Sequence, residues 1–166
     1  MDITYYLNLF NNAAGRMDKK TLGSKQIKIA IGVFADSVFL KLYKLSWANP
    51  SQDPVLSESR IFFSIWINDK ALKEHKIFYN IHALKLRQLK GYTIASRDFA
   101  NAFRTKFKPH EIHWPNVSTL FAPHTLMEGW IYIKTDDLLA ELELLTKQFF
   151  EIDSMMDTLL KKYKKS

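Results

Sequence analysis

The sequence predicts an α+β domain: an antiparallel sheet of about five to six strands packed with helices and closed by a long C-terminal helix. Three observations carry this. Segments of alternating apolar residues follow one another through short turns, the pattern of strands with one buried face. Amphipathic segments of helical period stand at both ends and at 96–107. Strands joined by turns too short for a crossover must pair antiparallel, which leaves the helices to pack on the sheet.

Along the chain, Ile3, Tyr6, Leu7 and Phe10 share one stripe, and Gly15 closes this first helix. A basic loop is expected at 19–25. Ile27, Ile29, Ile31 and Val33 alternate, Asp36-Ser37 turns, and Val38–Leu45 alternates again, so a hairpin is expected. Asn49–Pro54 is loop. Arg60–Ile67 and Lys76–Ala83 are the next strands, and 84–90 reads as strand or short helix. Ser96 is the expected N-cap of a helix ending at Phe107, before Pro109. Strands are expected at Ser118–Phe121 and Trp130–Lys134, then a helix over 136–163 with Asp136 and Asp137 at its start.

At 166 residues, 47% apolar and 25% charged, the chain has the size and balance of one globular domain, residues 1–166. No cysteine is present, which excludes disulfides, thiolate metal sites and cysteine catalysis. Met1-Asp2-Ile3-Thr4 lacks the basic region of a secretory signal. No run approaches the roughly 18 apolar residues of a membrane span. A cytoplasmic protein without a membrane partner is expected.

The net charge of +7 is uneven. Residues 70–108 hold ten basic groups against Glu74 and Asp98, while residues 109–166 hold six basic and nine acidic groups. Clustered positive charge attracts polyanions, although the same lysines also suit a solvated surface. On the 96–107 helix, Phe99, Ala100, Ala102, Phe103 and Phe107 fill one arc, and Arg97, Asn101, Arg104 and Lys108 fall opposite. Such a face is able to touch phosphates and base edges, and it also suits the water-facing side of any sheet-packed helix. With Lys85, Arg87 and Lys90 these residues form the candidate nucleic-acid contacts, Asn101 being the base-reading one.

In the last helix, Leu138, Leu142, Leu145, Phe149, Ile152, Met156, Leu159 and Tyr163 are spaced alternately four and three apart, a seam of period 3.5. Packing on the sheet is one reading. In the other, the back half (Ile152, Met156, Leu159, Tyr163) pairs two chains into a homodimer.

No chemistry-bearing motif stands out. His110 and His113 supply two imidazoles, short of a complete metal site. Gly-x-Ser-x-Gly, His-Glu-x-x-His and phosphate-cradling glycine loops are all missing. No catalytic residue, metal or cofactor is expected.

The run Phe121–Asp137, with Pro123 before a Trp130 strand and an acidic start to a last helix, resembles the closing segment of the MmcQ/YjbR-like proteins. Ala83-Leu-Lys85-Leu is similar to their preceding strand, so the resemblance covers about residues 60–150. It implies a small α+β fold of the CyaY-like kind, in a family to which DNA binding is often ascribed. The N-terminal hairpin, the loop at 108–118 and the extended last helix depart from that pattern. The expectation is therefore a non-enzymatic binding module that contacts DNA or RNA through residues 70–108. The alternative is an accessory protein that self-associates through its last helix.

Overall fold

Period-two alternation is strongest in the middle strands, and they form the centre of the sheet. The computed structural model describes residues 1–134 and 137–166. Five strands, β1 (Lys28–Phe34), β2 (Ser37–Tyr43), β3 (Arg60–Ile67), β4 (Lys76–Leu84) and β5 (Thr125–Tyr132), lie in chain order with every neighbour antiparallel. Val38, Leu40 and Leu42 of β2, Ile61, Phe63, Ile65 and Ile67 of β3, and Ile77, Tyr79 and Ile81 of β4 are buried on one face.

All the longer helices cover that face: α1 (Ile3–Gly15), α4 (Ser96–Phe107), α5 (Leu138–Phe150) and α6 (Asp153–Lys161). Phe149 of α5 stacks on Phe63 at 4.6 Å, and Trp114 packs edge-on against Phe63 at 5.8 Å. Two shorter helices, α2 (Lys19–Lys25) and α3 (Asp69–Lys73), sit at strand ends. Among the described residues no helix is long and apolar enough to cross a membrane.

The hairpin, β3, β4 and α4 stand where the sequence puts them. Four expectations need correction. The basic stretch 19–25 is helical, because Asp18 accepts from the Lys20 amide and the Thr21 hydroxyl at its start. Ala95, not Ser96, occupies the N-cap position of α4, without a side-chain cap. Ser118–Phe121 is no strand: Ser118 makes one isolated bridge to Glu128, so it only covers the outer edge of β5. β5 itself begins at Thr125, because Leu126 and Met127 are core residues and Gly129 interrupts nothing.

The expected long C-terminal helical segment is present, 24 residues from Leu138 to Lys161, with one break in it. α5 ends at Phe150 and α6 starts at Asp153. The Lys25 ammonium holds the break: it donates to the Phe150 carbonyl and to Asp153 Oδ1, each at 2.9 Å. A cation on a terminal carbonyl satisfies an acceptor that a continuing helix would have used. Asp137 starts α5 by accepting from the Ala140 amide, and Asp136 lies outside the described residues.

Candidate ligand groove on the open face of the sheet

An antiparallel sheet with helices on one side leaves its other side to water, and polar residues are expected there. Here that side is largely aromatic. Strand register arranges it in three parallel rows. The central row is polar: Lys41 pairs with Ser64, Ser64 with Asn80, and Asn80 with Glu128. On one side runs Phe39, Trp66, Phe78 and Trp130. On the other, Phe62 stands opposite His82, with Arg60 and Leu84 beyond them. A polar row thus runs across the sheet between two ring-bearing rows.

Over β2–β4 this face holds a groove of ≈ 480 Å³. Apolar grooves of a few hundred cubic ångströms with a few convergent polar groups are the usual form of small-ligand sites. Phe62, Ser64 and Asn80 are buried in its floor at 6%, 6% and 4% exposure. Its rim is exposed and apolar, with Phe34 at 75% and Leu56 at 74%. Gly32 lets the Phe39 ring lie over β1, since a Cβ there would sit 3.0 Å from the ring edge.

The groove is electropositive at its β2 end. Lys41 Nζ lies over the Phe39 and Phe62 rings at 4.5 and 4.6 Å, and the Arg60 guanidinium approaches Phe62 at 5.4 Å. Among the described residues neither cation forms an ion pair. Arg60 donates to the Ser57 carbonyl, while its Nε is buried without an acceptor. Burial, reinforced by the charge of Arg60 and opposed by that of Asp53, holds the Lys41 pKa below the ordinary lysine value. Two half-buried cations without an ion-pair partner favour an anion.

The β4–β5 end is set by one network. Asn80 Nδ2 lies 2.8 Å from His82 Nε2 and 3.3 Å from Glu128 Oε1. An amide nitrogen only donates, so His82 Nε2 must accept and its proton sits on Nδ1, 3.2 Å from the His124 carbonyl. Burial lowers the His82 pKa; the charges of His124, Lys41 and Arg60 act the same way, and the His124 carbonyl opposes them. The ring is neutral. Asn80 Oδ1 is left buried with no partner.

Of the residues expected to bind nucleic acid, all but Arg104 are exposed. Lys85 ends β4 in a left-handed conformation (φ 48°), 3.5 Å from Glu58. Arg87 and Lys90 are exposed on the turn that follows. Arg97, Asn101 and Lys108 are exposed along α4, whose other side buries Phe99, Phe103 and Phe107 in the helical layer. Arg104 is occupied: it donates to the carbonyls of Phe121 and Thr125 at 2.9 Å and of Leu126 at 3.2 Å, clamping the loop before β5. Lys76 belongs to the open face, over Trp130 at 4.1 Å, about 30 Å from Lys85 at the far end of β4. Lys76 and Lys85 therefore stand apart.

The expected self-association seam lies inside the chain. Ile152, Met156 and Leu159 are 2%, 2% and 0% exposed, and Tyr163 packs on Phe99 at 5.6 Å. Core residues present no surface to a second chain. His110 and His113 lie on a 3-10 segment, and the described residues hold no cluster of three or more metal-ligating side chains.

The sequence reading missed the groove because it treated β3 as uniformly β-forming. Its alternation holds the signal: Ile61, Phe63, Ile65 and Ile67 take one side, and Arg60, Phe62, Ser64 and Trp66 the other. Phe and Trp on the side opposite an aliphatic core face mark a surface kept for contact. No family model, curated protein or solved structure matches the chain.

Proposed function

We propose that this protein is a binding module whose working surface is the open face of its sheet. Its ligand has a flat or apolar body and an anionic head. The observation that carries the reading is the pair Lys41 and Arg60: two cations that form no ion pair among the described residues, bracketing Phe62 at one end of an apolar groove. The groove accepts the body by excluding water from apolar surface, and the cations accept the head.

Titration with anilinonaphthalene sulfonate, an anionic aromatic dye, tests it. Saturable binding is expected, weakened about tenfold or more in the Lys41→Met/Arg60→Met variant, because a charged hydrogen bond contributes about 1.5–3 kcal/mol. Unsaturable binding, or equal affinity in the variant, would overturn the reading.

A second reading, single-stranded nucleic acid lying across the sheet, is supported by the other ring-bearing row. Trp66 and Phe78 stack at 5.5 Å, and Lys76 lies over Trp130, so rings and a cation alternate across β3–β5. Rings of this kind form stacking platforms for successive bases. The DNA binding ascribed to the MmcQ/YjbR-like proteins points the same way. Log affinity for a single-stranded oligonucleotide should then fall linearly with log salt. Failure to bind at low salt would remove this reading.

A further inference from the structure

The polar row has a direction, and it names the chemistry of the ligand; this inference rests on the groove reading above. At its β2 end the groove offers donors alone: Lys41 Nζ in the row and, beside it on β3, the Arg60 guanidinium. At the β4–β5 end it offers an acceptor. The Glu128 carboxylate accepts from Asn80 at Oε1, and among the described residues no other side chain donates to it. The Asn80 amide hydrogens are engaged with His82 and Glu128, and His82 Nε2 is engaged with Asn80, so these side chains leave no free donor there. Ser64, between the two ends, serves either role.

Donors at one end of the groove and a carboxylate with free lone pairs at the other are each satisfied by complementary groups of a ligand. Their order prescribes the ligand: an anion, then a flat ring, then an edge of adjacent hydrogen-bond donors. Lys41 leans over Phe62 on β3, so the cation and Glu128 on β5 are about two strand spacings apart, near 10 Å, which a single nucleotide spans. Among the nucleobases, guanine presents neighbouring donors, its N1–H beside its N2 amino group. Adenine and cytosine place a ring-nitrogen acceptor beside the amino group, which would face the Glu128 lone pairs. Uracil sets one N–H between two carbonyls.

We propose that the groove binds a guanine nucleotide unit. Its phosphate lies at Lys41 and Arg60, its ring between Phe62 and Trp66, and its donor edge on the Glu128 carboxylate.

Calorimetric titration of the full chain with GMP, AMP, CMP, UMP and inorganic phosphate tests this, with Trp66 fluorescence as a second readout. GMP should bind about tenfold or more tightly than the other nucleotides, the discrimination of one good bidentate pair. Glu128→Gln, which sets an amide donor against the base edge, should erase that preference, and Lys41→Met should weaken every nucleotide alike. A guanine-containing single strand that binds no better than GMP identifies the free nucleotide as the natural form. A strand that binds at least tenfold better identifies nucleic acid. Equal binding of AMP and GMP, or a preference that survives Glu128→Gln, overturns the guanine assignment. If the dye occupies the groove in a Lys41-dependent way and GMP does not displace it, the guanine assignment fails and the groove reading stands. If the dye is also indifferent to Lys41, both fail.

Discussion

Gly129 stands directly opposite Tyr79 across β4 and β5, and the space where its side chain would begin is taken by the Tyr79 hydroxyl. That hydroxyl donates to the Pro115 carbonyl at 2.5 Å, which ties the loop before β5 to the middle of the sheet. The ring is fully buried.

Gly129→Ala should therefore cost about 1–3 kcal/mol, the usual penalty of overpacking a filled core. Tyr79→Phe removes the clashing oxygen but leaves the ring carbon Cζ 2.5 Å from the new Cβ, so the double variant should recover only part of the Gly129→Ala loss. Urea denaturation of the two singles and the double measures the coupling; strictly additive losses would disprove the contact's role.

The pair Lys44 and Asp153 is buried at the α5–α6 break. Lys44 Nζ lies 2.8 Å from Asp153 and 2.5 Å from Asp157, and Trp47 Nε1 donates to Asp157 at 2.8 Å. Asp153→Asn leaves Lys44 with Asp157 as its one carboxylate, so the loss should be that of a charged hydrogen bond, about 1.5–3 kcal/mol. Burial opposes the Lys44 charge, but the hydrogen bonds and charges of Asp153 and Asp157 outweigh it and raise its pKa above the ordinary lysine value. A raised pKa contributes stability that is complete below the unfolded value of about 10.4 and is lost as pH rises through the folded one. Wild type should thus lose more stability than Lys44→Met above about pH 10.4, as read by urea midpoints.

Leu159 is completely buried in the domain's own core. Leu159→Ala should cut the stability of a single chain by about 2–5 kcal/mol. A variant of wild-type stability with weakened self-association would instead restore the seam as an interface. Denaturation at two protein concentrations, with sedimentation, separates these outcomes.

His82 is held neutral in the folded protein, with burial the main cause. Its depressed pKa means that the unfolded chain takes up the proton first. Stability should be complete at neutral pH and fall as pH drops below about 6.5. His82→Gln should flatten that part of the pH profile. An unchanged slope would show that the imidazole is not the titrating group.

Much of the frame was legible because local rules suffice for it. Alternation placed the β1–β2 hairpin, β-forming residues placed β3 and β4, and the Phe arc of α4 faces the sheet as its period requires. The break after Phe150 was not legible. The 3.5 seam runs through it without a fault, and the break depends on Lys25, far away in sequence, reaching the Phe150 carbonyl. β5 was misplaced for a similar reason: Gly129 reads as a strand breaker until Tyr79 is set against it.

The candidate site divides in the same way. Composition and order alone determined that the chain is basic, aromatic-rich, free of cysteine and built as α+β. They could not determine which cations act together, because charge counted along a chain ignores where strands end and which side a helix shows. Tertiary structure separated Lys76 from Lys85 along one strand, committed Arg104 to backbone carbonyls and buried Met156 and Leu159. It also brought Lys41, Ser64, Asn80 and Glu128, from four different strands, into one row. Strand register is a long-range property: hydrogen bonds between segments tens of residues apart decide it, and the period of any one segment carries no record of its neighbour.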